Sequence, residues 1–265
     1  MISEEKRMEV LATLRDVQEK FDVKILYAIE SGSRAWGFAS EDSDWDVRFL
    51  YYHPRDWYLK VHAGRDVIEC PINDDLDVSG WDIRKTLSLA YKCNPSLYEW
   101  LNSSLIYYKS EEFYAVLRSV VEKYYNPSHL IYHYRSMAKH NYREHLRNRE
   151  EVKLKKYLYV MRAVLAAQAV EQRPEMMVNT MNTESLVVNI VKDDTVQKEM
   201  LDLIRRKREA DKELNLGPVI PAINDYFDAA LEHFETVFQN PNGKKPIDTD
   251  ELDMFFRAVI GGTYR

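Results

Sequence analysis

The sequence predicts an α+β fold: an N-terminal mixed β-sheet domain with flanking helices, followed by an all-α C-terminal domain. Three observations predict it. Short strand-like runs rich in β-branched and aromatic residues stop by about residue 110, and beyond that the apolar residues recur at helical spacing. Pro127, Pro174, Gly217-Pro218 and Pro241-Asn242-Gly243 punctuate the helical part. The chain has 265 residues, 45% of them hydrophobic, enough for a full core in one large or two modest domains. The boundary is placed between a domain over 1–125 and a helical domain over 126–265.

Ser3 followed by Glu4-Glu5 predicts a helix N-cap with acids in the first turn, where the helix dipole favours them. Val10, Leu11, Leu14, Val17 and Phe21 continue that helix at helical spacing. Strands are predicted near 23–30 and from about Asp44 to Tyr52, the second ended by Pro54. Arg65–Cys70 and Leu76–Gly80 are two further strand candidates. Ile83, Leu87 and Leu89-Ala90 mark a helix over Asp82–Lys92; Asn94-Pro95 breaks it and a short helix restarts at Leu97–Leu101. Helices are then expected over 111–125, 128–149, 152–172, 195–213, 220–238 and 248–259.

Composition excludes several classes. No apolar run reaches the roughly 18 residues of a membrane span, and the first residues lack the basic-then-apolar layout of a signal peptide. Cys70 and Cys93 cannot make a zinc cluster alone and suggest no disulfide framework. A cytoplasmic location is the simplest expectation. A formal net charge of −6 argues against a general coat for nucleic acid but allows a local basic groove. Eighteen tyrosines against nine phenylalanines fit half-buried helix packing without requiring base stacking.

The chemistry lies in one stretch. An apolar strand ends in Gly32-Ser33, a turn of small residues that lets backbone N–H groups approach a phosphate. A short linker leads to Asp44-Trp45-Asp46. Residues two apart on a strand share a face, so the two carboxylates stand side by side and call for a cation. Mg²⁺ suits carboxylate oxygens shared with substrate phosphates. A third carboxylate on a neighbouring strand would complete a two-metal centre for phosphoryl transfer. Alone, Asp-Ser-Asp-Trp-Asp is often a turn entering an edge strand; the glycine-serine turn before it and a strand acid after it change that reading. Two acids compete for the third place. Asp77 lies within the alternation Leu76-Asp77-Val78, whereas Asp82 stands where a helix begins and so reads as its N-cap. Asp77 is preferred.

With Gly32-Ser33, Asp44-Trp-Asp46 and Asp77 in place, the sequence resembles the polymerase-beta-type nucleotidyltransferase superfamily. More narrowly, it resembles the YcgL-type nucleotidyltransferases, also described as RNA repair pathway polymerases associated with an RNA ligase. The resemblance rests on Glu30-Ser-Gly-Ser33-Arg-Ala-Trp-Gly37, Ser43-Asp-Trp-Asp-Val-Arg48, Asp77–Lys85 with Asn94-Pro95 and Glu99, and Lys155–Arg162. It covers about residues 25–165; beyond that only helical character is legible.

The resemblance implies a catalytic centre of Asp44, Asp46 and Asp77 holding two Mg²⁺ or Mn²⁺ ions, with Gly32, Ser33 and Arg34 toward the nucleotide. It also implies that the helical domain clamps the triphosphate. Lys155, Tyr159 and Arg162 fall at i, i+4 and i+7 on one helix face, which suits that role. Arg34 and Arg48 read equally as phosphate contacts or as partners of the acids. The basic segment Lys139–Arg149 reads either as a charged helix surface or as a nucleic-acid contact. Arg205-Arg206-Lys207-Arg208 reads as a solvated charge run.

The expected function is metal-dependent transfer of a nucleoside monophosphate from a nucleoside triphosphate to a hydroxyl acceptor, an RNA 3′ end first. Transfer to a protein or small-molecule hydroxyl uses the same site. A non-catalytic nucleotide- or RNA-binding module, or an antitoxin, is the rival of another class. The oligomeric state is not legible.

Overall fold

The computed structural model describes residues 2–71, 75–175, 179, 181–209, 212–237 and 249–263. Two compact units appear. One comprises Met1–Ala35, Asp44–Tyr125 and Lys245–Arg265; the other comprises Trp36–Ser43 and Asn126–Lys244.

In the first unit, α1 (Glu4–Phe21) is capped by the Ser3 side chain, which accepts from the Lys6 amide. The elements β1 (Lys24–Glu30), α2 (Gly32–Trp36), β2 (Trp45–Tyr52), α3 (Arg55–Tyr58), β3 (Val67–Glu69) and β4 (Leu76–Asp82) follow. Then come α4 (Ile83–Tyr91), α5 (Pro95–Asn102), β5 (Ile106–Lys109) and α6 (Glu111–Lys123). The five strands form one mixed sheet in the order β3-β4-β2-β1-β5. β2 and β4 run parallel, and the other neighbours run antiparallel. Val10, Leu14 and Val17 of α1 join Val47, Phe49, Tyr51, Val78 and Tyr107 in the core cluster on one side of the sheet. Strand alternation therefore sends Asp46, Arg48 and Asp77 to the opposite side.

In the second unit, α7 (Pro127–His145), β6 (Glu151–Val152), α8 (Lys155–Gln172), α9 (Thr183–Ile190), α10 (Asp194–Arg208), β7 (Gly217–Pro218) and α11 (Pro221–Val237) follow in order. Buried residues surround α8 on all sides, from Tyr157 and Leu158 to Ala169 and Val170, as befits a central helix packed by its neighbours. A last helix, α12 (Asp250–Ile260), is grouped with the sheet unit.

Several elements differ from the sequence expectation. β5 is an addition: four residues, Ile-Tyr-Tyr-Lys, are too few to show alternation, and only the β1 edge selects them. α9 is another; its cap, Asn182, accepts from the Ser185 amide. Strands do not stop at residue 110, because Glu151–Val152 pairs with Gly217–Pro218. α7 ends at His145, short of Arg149, and Asn148 has φ +57° beyond it. The expected helix ends at Phe238 and Asp248 lie outside the described residues.

Candidate active site

The site starts at the end of β1. Glu30 is fully buried and its Oε1 accepts from the Asp46 amide at 2.9 Å, while Oε2 accepts from the Tyr107 hydroxyl at 2.7 Å. The Ser31 amide donates to the Asp46 carbonyl at 2.8 Å. Strand β2 is thus held at Asp46 through both its amide and its carbonyl. Gly32 then turns the chain with φ +58°, and α2 begins there. A Cβ on Gly32 would lie 1.8 Å from Asp46 Oδ2, so the bare Cα is what admits that carboxylate.

On β2 and β4, Asp46 and Asp77 are register partners. One guanidinium serves both: Arg48 Nη2 donates to Asp46 Oδ1 at 2.9 Å and to Asp77 Oδ2 at 2.8 Å. Its Nη1 donates to the carbonyls of Val47 and Asp77, each at 3.0 Å. Arg48 therefore balances the acids and is fixed by backbone as well. Asp44 is exposed, just before β2. Arg34 lies over the Trp45 ring at 3.7 Å and its Nε reaches the Asp44 carbonyl at 3.3 Å. Ser33 is half-buried in α2.

Asp82 is used elsewhere. It is buried, caps α4 by accepting from the Arg84 amide at 2.8 Å, and accepts from Tyr58 Oη at 2.6 Å. It pairs with Tyr51, five residues along β4 from Asp77, so alternation puts it on the other face.

Electrostatics follow burial. Burial raises the carboxyl of Asp46, Arg48 pulls it back down, and the like charges of Asp77 and Asp44 push it up again. Burial pushes Glu30 up to about 7 against the bonds it accepts from Tyr107 and the Asp46 amide. Glu30 is the residue that sequence reasoning missed. Its signal was present: an acid closing the otherwise apolar run Ile25–Ile29.

One pH dependence follows. The unfolded chain releases the Glu30 proton near its ordinary value, the folded chain near 7. Stability is therefore full below the ordinary value and falls as pH rises through the window up to about 7. The loss is on the order of 3 kcal/mol, because each tenfold difference in proton affinity between the two states is worth about 1.4 kcal/mol. Urea unfolding of the metal-free protein from about pH 4.5 to 8.5 should show this slope, and Glu30→Gln should flatten it.

On the helical unit, Lys155 and Tyr159 are exposed in α8. Arg162 is buried, with its guanidinium 4.1 Å from the Trp36 ring centre; Tyr159 meets the same ring edge-on at 6.3 Å. In the basic segment, Lys139 pairs with Glu235 and Arg147 approaches Asp228 at 4.0 Å, so part of its charge is balanced within the unit.

Among the described residues, no group of three or more His, Cys, Asp and Glu side chains forms a ready metal cage. The acids present still suit a hard cation. Two carboxylates already converge on one positive group, and Mg²⁺ takes one or two carboxylates together with water and phosphate oxygens.

Comparison with known proteins gives the family. The model of the RNA repair pathway DNA polymerase beta family matches residues 7–258. The uncharacterized protein YcgL of Bacillus subtilis (strain 168) is 39% identical over 254 residues, covering 96% of each chain. A crystal structure of a nucleotidyltransferase-like protein from Exiguobacterium sibiricum 255-15 covers 94% of this chain and 76% of its own. At 10% identity and a TM-score of 0.28 it is too distant to carry any argument. No described helix is long and apolar enough to cross a membrane. The chain belongs to the RNA repair pathway DNA polymerase beta family and is a nucleotidyltransferase.

Proposed function

We propose that the protein moves a nucleoside monophosphate from a nucleoside triphosphate to a hydroxyl acceptor, and that the acceptor is an RNA 3′ end. The observation that carries the reading is the convergence of Asp46 and Asp77 on one cation beside a turn that only glycine fits. The family's description as an RNA repair pathway polymerase supports the acceptor.

In this reading the acceptor oxygen bonds to the α-phosphorus, the bond from that phosphorus to the bridging oxygen breaks, and pyrophosphate leaves. Asp77 activates the attacking hydroxyl by taking up the proton that it loses. Gly32 and Ser33 hold phosphate through backbone and hydroxyl groups. Asp44, Asp46 and Asp77 would hold Mg²⁺ or Mn²⁺, two ions in the two-metal arrangement, which neutralise phosphoryl oxygens and activate a hydroxyl when bound. Lys155 and Tyr159 are assigned to the triphosphate. Arg162 is assigned there through Trp36, the ring it stacks on, and Arg34 through the Asp44 backbone.

Arg48 supplies a second check. Arg48→Met leaves two register-paired carboxylates without their shared cation. Without divalent metal the variant should lose about 1.5–3 kcal/mol, the range for hydrogen bonds to charged groups. Millimolar Mg²⁺ should raise its Tm more than that of the unaltered protein, as measured by calorimetry. An equal shift in both would remove the acids from the metal site.

The acceptor is tested with α-labelled ATP, CTP, GTP and UTP, Mg²⁺ and an RNA oligonucleotide with a free 3′ hydroxyl. Label should appear in RNA lengthened at that end. Label on protein alone would transfer the proposal to a protein hydroxyl, and none on either would end it.

A further inference from the structure

The run Arg205–Arg208, read from sequence as a solvated charge face, is in part an anchor. Lys207 Nζ donates to Ser40 Oγ at 2.7 Å and to Ser43 Oγ at 3.3 Å. The two hydroxyls lie 3.0 Å apart, and Ser43 Oγ also accepts from the Ser40 amide at 3.0 Å. Arg208 Nε donates to the Gly37 carbonyl at 2.8 Å, and its Nη2 pairs with Glu184 of α9. Gly37 turns with φ +85° against Asn182, the cap of α9. Phe38 and Ser40 are buried.

These contacts fall on the stretch that joins α2 to Asp44. Residues 36–43 group with the helical unit, whereas Ala35 and Asp44 on either side group with the sheet unit. The linker is therefore held in part by the C-terminal turn of α10, and it lies against the cap of α9. Two cations, Lys207 on the two serine hydroxyls and Arg208 on the Gly37 carbonyl, fix these groups through charge-assisted bonds. One of those serines is covalently next to Asp44.

We propose that Lys207 and Arg208 are positioning residues: from the end of α10 they fix the 37–43 linker and so set the placement of Asp44 and of the helix carrying Gly32-Ser33. The inference rests on the reading that Asp44 holds metal, so its test carries two readouts. Lys207→Met and Arg208→Met should each speed amide hydrogen exchange over 37–43 by about tenfold while β1 and β2 stay protected. Mn²⁺ affinity without nucleotide, read by electron paramagnetic resonance, should fall by about tenfold, the lower range for groups that orient metal ligands. Lys207→Arg keeps charge and donors and should restore both readouts. Should Lys207→Met fail to fold, Ser40→Ala with Ser43→Ala removes the same bonds from the linker side.

Unchanged exchange, or faster exchange with unaltered Mn²⁺ affinity, overturns the proposal. Asp44→Asn separates the two ideas. If it binds Mn²⁺ like the unaltered protein, the metal reading is at fault, and exchange over 37–43 alone decides the anchor.

Discussion

Gly32→Ala is expected to abolish nucleotide transfer and to destabilise the sheet unit at one stroke. The new Cβ would fall 1.8 Å from Asp46 Oδ2 and 2.6 Å from its Cγ. The short Asp46 side chain has little room to yield: its backbone is held through the amide by Glu30 and through the carbonyl by Ser31, and its Oδ1 accepts from Arg48. The φ of +58° adds the strain of a left-handed residue carrying a side chain, worth about 1–2 kcal/mol. Overpacking adds about 1–3 kcal/mol. The sum, on the order of 3 kcal/mol, is a large share of a domain's stability. The alanine variant should unfold at lower urea, and the fraction that folds should carry a displaced Asp46. Urea titration with a transfer assay on the folded protein checks both. Gly37→Ala is the contrast: its φ is also positive, but its Cβ would meet Asn182 at an ordinary 3.6 Å.

Much of this site was legible because it follows strand periodicity. Alternation in the sequence pairs Asp44 with Asp46 and sets Asp77 within an apolar run; the parallel pairing of β2 with β4 is what makes Asp46 and Asp77 partners. The reading of Asp82 as an N-cap came from its place at the start of a helix, and its side chain does cap α4. What sequence did not show was long-range. Glu30 is committed to the Asp46 amide 16 residues away; the apolar run before it marks the acid as unusual but does not name its partner. β5 exists because the β1 edge is there to pair with. Lys207 and Arg208 looked like solvent charge because their partners, Ser40, Ser43 and Gly37, lie more than 160 residues away. The stacking of Arg162 on Trp36 is likewise a contact that no spacing revealed.

The acids themselves give the second large effect. Asp44→Ala with Asp46→Ala removes two of the three carboxylates proposed to hold the ions that neutralise the reacting phosphate. Such stabilisation is worth several kcal/mol of barrier, and each ~1.36 kcal/mol is tenfold in rate. The loss should therefore be roughly a thousandfold or more. The fold should survive, since Asp44 is exposed and Asp46 lies on the sheet face away from α1. Losing Asp46 also frees half of the Arg48 bridge, which Asp77 retains.

The direct measurement is the rate of Mg²⁺-dependent transfer of labelled nucleotide to an RNA 3′ end, with the unaltered protein beside the folded Asp44→Ala, Asp46→Ala double variant. The assignment of these acids to the catalytic centre predicts transfer by the first and none above background by the second. Equal rates in the two would contradict it.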